Sequence, residues 1–177
     1  YNDHGPVHMR QVAINAIKML TILNESGIKT SLENEEIGTF EDSMCALVLA
    51  SLMHDLGMMI GRQGHEEMSV ILAQPLIDRT LNKVFSDNVQ KRVVIKSVAI
   101  EAIIGHMSSR KIHSLEAGLL LIADGCDMTK GRARIPLSIN NSPKVGDIHK
   151  YSANAISKVH IKHGGRKPIQ IDIEMSS

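Results

Sequence analysis

The feature that most limits how this chain can fold is an apolar run that ends in two polar groups. Residues 44 to 53, MCALVLASLM, are almost unbroken apolar side chains, and His54 and Asp55 follow at once in ASLMHDLGM. Glu41, Asp42 and Ser43 offer a helix start and Gly57 a stop, so the pattern predicts a helix through Leu56. A helix that is apolar on nearly every side belongs at the centre of a bundle. Burying an imidazole and a carboxylate at its end is costly unless they are hydrogen-bonded, paired or bound to a cation.

The flanking sequence supplies the bundle. Asn2 and Asp3 can cap a first helix that Pro6 enters early. Val12, Ala13, Ala16, Ile17, Leu20 and Leu23 then recur at helical spacing until Gly27. Residues 28 to 40 read as a loop. A third helix is predicted over 66–81 and a fourth over 87–104, its end disturbed by Gly105. Ser114 caps a fifth, with EAGLLLIADGCDM as its body. Pro136 and Pro143 bracket an irregular connection, and a short helix is expected near 148 to 156. The period then changes to two: Val159, Ile161 and His163, then Ile169, Ile171 and Ile173, alternate around Gly164-Gly165. That is a β-hairpin signal, with Pro168 suited to an edge. The predicted fold is therefore mainly α, a helical bundle with a small C-terminal hairpin. Residues 1–135 are expected as the helical domain, and 136–177 as an extension packed on it.

Composition narrows the function. The chain has 177 residues, 43% of them hydrophobic, which is enough for one core without disulfide staples. Two Tyr, two Phe and no Trp leave little for stacking single-stranded bases, and a net charge of +1 gives no field for a polyanion. A nucleic-acid polymer is not the expected partner. Cys45 and Cys126 form neither a zinc pattern nor a disulfide framework, and read as core thiols of a cytoplasmic protein. No stretch reaches membrane-spanning length. The chain opens on Tyr1, which leaves a preceding segment or targeting peptide open.

Nine His and nine Asp in 177 positions predict about half a chance His-Asp dipeptide, so the pair alone proves little. Its company says more. His8, His54-Asp55, His65, His106 and Asp124 each stand at, or just beyond, an apolar stretch of a different predicted helix. One such residue is usually a satisfied core histidine, and His54 pairing with Asp55 alone is the plain alternative. Five helices each offering a ligand point instead to divalent cations, for which neutral imidazole and carboxylate are suitable donors. Iron, manganese, zinc, magnesium, nickel or cobalt are the expected ions.

The order His8, His54-Asp55, Asp124 resembles that of the HD-domain superfamily of metal-dependent phosphohydrolases, over roughly residues 4 to 135. The stretches YNDHGPVH, GHEEMS and ADGCDMTKGRARIP resemble a prokaryotic, largely archaeal, subgroup of unassigned substrate. The resemblance implies an HD-like helical core in which His8, His54, Asp55 and Asp124 hold one ion. His65 and His106 would add a second, with Asp55 bridging. Two such ions carry +4 against −2 from Asp55 and Asp124, leaving an electropositive cavity. That suits hydrolysis of a phosphomonoester or phosphoanhydride by a metal-activated hydroxide. Asp55, His54 and His65 are the expected catalytic residues, and a small phosphorylated molecule, a nucleotide by family habit, is the expected substrate. The chain lacks a His-His pair at 105–106 and any Gly-Tyr-Pro tripeptide. These departures disfavour the cyclic-dinucleotide phosphodiesterases, and its length disfavours the multidomain guanosine-alarmone enzymes.

Lys130, Arg132 and Arg134, around Gly131, are the expected phosphate contacts, with Arg62 a weaker candidate. A wet basic surface is the plain alternative there. His4, four residues before His8, reads as an exposed first-turn residue, with an outer ligand or proton carrier as the alternative; Glu66 and Glu67 read as a solvated helix start, with a hydrogen bond to a ligand or metal-bound water as the alternative. His113, His149, His160 and His163 read as solvent-facing. The hairpin is expected to cover the core or to pair with another subunit as a homo-oligomer. The competing reading of the whole chain is a non-catalytic metal- and nucleotide-binding sensor module.

Overall fold

The computed structural model describes residues 4–128 and 155–175. In chain order it contains α1 (Pro6–Glu25), α2 (Ser31–Asn34), α3 (Phe40–Met53), a 3-10 turn (Leu56–Met59), α4 (His65–Val84), α5 (Val89–Gly105), α6 (Leu115–Gly125), β1 (Ile156–His163) and β2 (Ile169–Met175). The protein is mainly helical, with a small two-stranded antiparallel hairpin at its C-terminal end.

Helices α1, α3, α5 and α6 close a ring in which each packs on its neighbours, and α3 touches all three others. Alanines at 16, 46, 50, 99, 102, 117 and 123 have no more than 0% exposure. Such small side chains let helix axes approach closely, while Met19, Leu20, Leu47, Ile95, Ile103 and Leu120 fill the space between. Helix α4 lies outside the ring, against α5 and the 3-10 turn. The hairpin lies against α1, and Ile161 joins the core.

The element boundaries differ from the sequence reading where local side-chain chemistry competes with periodicity. Helix α1 is capped by the Gly5 backbone, with Pro6 in its first turn and no side-chain cap; Asn2 and Asp3 lie outside the described residues. Between 28 and 40 stands the extra helix α2, held by a reciprocal capping box in which Thr30 N–H donates to Glu33 and Glu33 N–H to Thr30 Oγ1. A second box, Thr39 with Asp42, starts α3 at Phe40 rather than at Glu41. Helix α3 ends at Met53, with His54 as its C-cap, and Gly57 lies inside the 3-10 turn instead of stopping the helix.

Gly57 serves a different purpose. A Cβ there would lie 2.0 Å from the His65 carbonyl oxygen and 2.8 Å from Ser69 N. Only glycine lets the 3-10 turn sit flush on the first turn of α4, where Gly57 N–H donates to Ser69 Oγ at 2.8 Å. Gly105 is the last residue of α5, and its missing Cβ makes room for Ile112.

The hairpin pairs Val159 with Ile173, Ile161 with Ile171 and His163 with Ile169. Its connection runs from Gly164 to Pro168, longer than a two-residue Gly-Gly turn, and is closed by Gly164 N–H donating to Pro168 O. Pro168 stands just before β2. The Pro136–Pro143 connection lies outside the described residues, as does the short helix expected near 148 as far as residue 154. Ile156, its expected end, opens β1.

Candidate metal centre

The ring's helices place their functional side chains at one end. His54 and His106 are the C-caps of α3 and α5, Asp124 lies in the last turn of α6, and His8 and His65 lie in the first turns of α1 and α4. Three helix C-termini therefore converge there, and the negative ends of their dipoles favour cations, against the positive ends of α1 and α4.

The ring nitrogens are sorted. His54 Nδ1 lies 2.9 Å from Ser51 O, His106 Nδ1 2.6 Å from Ile103 O, and His65 Nδ1 2.9 Å from Arg62 O. Each ring N–H donates to the carbonyl three residues earlier. In α3 and α5 that carbonyl belongs to the helix end and has no intrahelical partner, so one bond completes the cap and fixes the tautomer. His8 Nδ1 donates instead to Asp127 Oδ2 at 2.6 Å. In their neutral forms all four imidazoles thus hold their proton outward and turn the Nε2 lone pair inward.

Those lone pairs face each other. His8 and His54 bring their Nε2 atoms to 3.2 Å, and His65 and His106 to 3.0 Å. Two unprotonated nitrogens at that separation repel unless a proton or cation lies between them. Two nitrogens each about 2.0–2.1 Å from one ion, at a tetrahedral or octahedral angle, would stand roughly 2.9–3.4 Å apart. The donor set fits a divalent ion.

Asp55 joins the two pairs. Its Oδ2 lies 3.3 Å from His8 Nε2 and 3.4 Å from His54 Nε2, while Oδ1 lies 3.3 Å from His65 Nε2 and 3.7 Å from His106 Nε2. Asp124 Oδ1 adds to the first group, at 3.2 Å from His8 Nε2 and 3.8 Å from His54 Nε2. Three overlapping triads have their donor atoms within 4.8 Å of one another: His4–His8–Asp55, His8–His54–Asp124 and His54–Asp55–His106. These buried His and Asp groups could hold a metal ion.

Without a cation, burial would raise the Asp55 carboxyl, but hydrogen bonds from His4 and His8 and the charges of His54 and His4, once these rings carry a second proton, hold it well below the usual carboxylate range. Burial, and then the charge of His54, push His106 down and favour its neutral ring. Both groups are thereby kept in the form that binds metal.

All six residues expected as ligands come together. His4, expected to be exposed, does not stay outside: its side chain is 24% exposed and Nδ1 lies 2.7 Å from Asp55 Oδ2. It differs from the other four in turning Nδ1 rather than Nε2 inward. Asp127 was not singled out by the sequence, although its position three residues after Asp124 was the available signal. Arg62 is exposed and meets the site through its backbone carbonyl. Lys130, Arg132 and Arg134 lie outside the described residues, as does His149. His113 is exposed, and His160 and His163 pair at the surface with Glu174 and Glu25. Cys126 is buried, and burial together with Asp124 pushes its thiol up to about 11, so it remains a thiol. Cys45 is half-buried and is raised by burial as well.

The chain is similar to a protein of uncharacterized function, MJ1020 of Methanocaldococcus jannaschii. The two are 40% identical over 177 residues, which is all of this chain and 66% of the relative. The chain therefore spans just under two thirds of that protein's length. No family model matches the chain, and no solved structure matches it. No described helix is long and apolar enough to cross a membrane.

Proposed function

We propose that this chain is a metal-dependent phosphohydrolase of the HD type that binds two divalent ions and cleaves a phosphomonoester or phosphoanhydride of a small molecule, a nucleotide being the favoured class. One observation carries the reading: four imidazoles keep their protons on outside acceptors and aim Nε2 in two close pairs at the two oxygens of a single buried carboxylate. A structural histidine cluster has no use for such sorting, because its rings would be better satisfied by donating to one another.

A bound ion pair lowers the pKa of water and stabilises charge on phosphoryl oxygens. The chain's own part is placement. Asp55 offers one oxygen to each half of the site, and its low proton affinity keeps both available. Asp124, with 18% side-chain exposure, and His4 stand at the more open side, where a substrate would arrive. The buried His65–His106 pair closes the other side. Lys130, Arg132 and Arg134 follow Asp124 in sequence and are the proposed phosphate contacts.

The test is hydrolysis of aryl phosphates and a nucleotide panel by protein loaded with manganese, iron or zinc. Turnover that Asp55→Asn abolishes supports the reading. No turnover by fully loaded protein, with Asp55→Ala changing only the melting temperature, would leave a metal-holding sensor module.

A further inference from the structure

The His65–His106 half of the site joins two segments distant in the chain, the first turn of α4 and the loop after α5. Both histidines stand at element ends, where backbone geometry is least fixed. Two side-chain links cross the same gap. Glu66 Oε1 accepts from Ser109 Oγ at 3.0 Å, and Glu67 Oε1 accepts from Arg110 Nη2 at 2.9 Å. Both span 43 residues, so they run side by side in one register, next to the 41-residue separation of the two histidines. Ser108, at φ 58°, takes the left-handed conformation that turns the loop back toward α4. Glu66 also reaches inward, with Oε2 3.4 Å from His65 Nδ1 and a side chain only 12% exposed. Acidic residues in a first turn are explained by the helix dipole, but the dipole gives no reason for two of them to find partners on the loop that carries His106.

We propose that Glu66–Ser109 and Glu67–Arg110 form a latch that brings His65 to His106, so that these four residues set the affinity of the second ion without touching it. The proposal rests on the two-ion reading above. Arg110 is 58% exposed, and an exposed pair of this kind adds little to global stability. The latch is therefore expected to govern local geometry while leaving the fold intact. Glu66 lies beside the Nδ1 edge of the His65 ring, adding to the hold of Arg62 O on that nitrogen, and Ser109 holds Glu66 in turn.

The test is manganese titration of the metal-free full chain, with free Mn(II) and spin-coupled Mn(II) pairs followed by electron paramagnetic resonance. In wild type two ions bind and a coupled signal appears at the second equivalent. In Ser109→Ala/Arg110→Ala, and separately in Glu66→Gln, the second ion weakens by roughly 10-fold or more, while the first changes less than about twofold. The coupled signal is delayed accordingly, and the metal-free melting temperature is unchanged. Arg110→Lys restores most of the second-ion affinity. Two ions bound with wild-type affinities in both variants would overturn the latch and leave the two-ion reading intact. A single ion bound by wild type would overturn that reading, and the latch with it.

Discussion

At the scale of single residues, proton affinities decide the behaviour of the site. Asp55 is held ionised, so its contribution to stability is present above the unfolded value of about 3.9 and is lost as pH falls through its lower folded value. His106 is held neutral, so the unfolded chain takes up its proton first, near pH 6.5, and stability declines as pH falls below that point. The chelated protein should therefore keep a constant melting temperature from pH 8 to 7 and lose it progressively below about 6.5. His106→Gln should flatten the upper part of that decline, as followed by circular dichroism. His4→Gln should lower metal affinity less than His8→Gln, since His4 meets only Asp55 and the edge of the His8 ring, whereas His8 meets Asp55, His54, Asp124 and Asp127. Competitive chelation reads both, and equal losses would remove the distinction. That the six expected residues would gather was legible because burial of His and Asp beside apolar runs demands a partner. His4 and Asp127 were not, because a residue ahead of the first helix, or just past the end of the last, shows no burial in its own neighbourhood of the sequence.

At the scale of elements, the site depends on helix ends. The Gly57 backbone fits under α4 only without a side chain, so Gly57→Ala should push the 3-10 turn off α4 and separate Asp55 from His65. A loss of about 1–3 kcal/mol is expected, together with loss of metal, from denaturant unfolding and metal content. Gly105→Ala should be milder, because the obstacle is the Ile112 side chain, and Ile112→Ala should relieve it. Five of the six α-helices among the described residues were readable from 3.6-residue periodicity. Helix α2 was not, because its four residues are too few to show a period and its capping box is the whole of its signal. Gly57 was readable as a special position but misread as a stop: sequence shows that a glycine stands there, and only the packing shows what it makes room for.

At the scale of the whole molecule, a bound metal would be linked to the fold. An ion held only by the folded chain stabilises it by about 2.7 kcal/mol at a free concentration 100 times its Kd, or roughly 5–10 °C for a chain of this size. Removing it with a chelator should lower the melting temperature by that order, and adding manganese should restore it. The mainly helical class and the C-terminal hairpin were both legible, since their periods of 3.6 and 2 are distinct. The arrangement of the ring was not, because alanines at seven contact positions allow many pairings by pattern alone, and the packing itself selects one.

The central claim is that cations offset the cost of burying His54 and Asp55 at the end of the central helix. Elemental analysis of freshly purified protein beside Asp55→Asn tests it most directly. The account predicts close to two divalent ions per wild-type chain and at least roughly a 10-fold loss in the variant. Wild-type protein that folds with no stoichiometric metal, and matches Asp55→Asn in metal content, would contradict it.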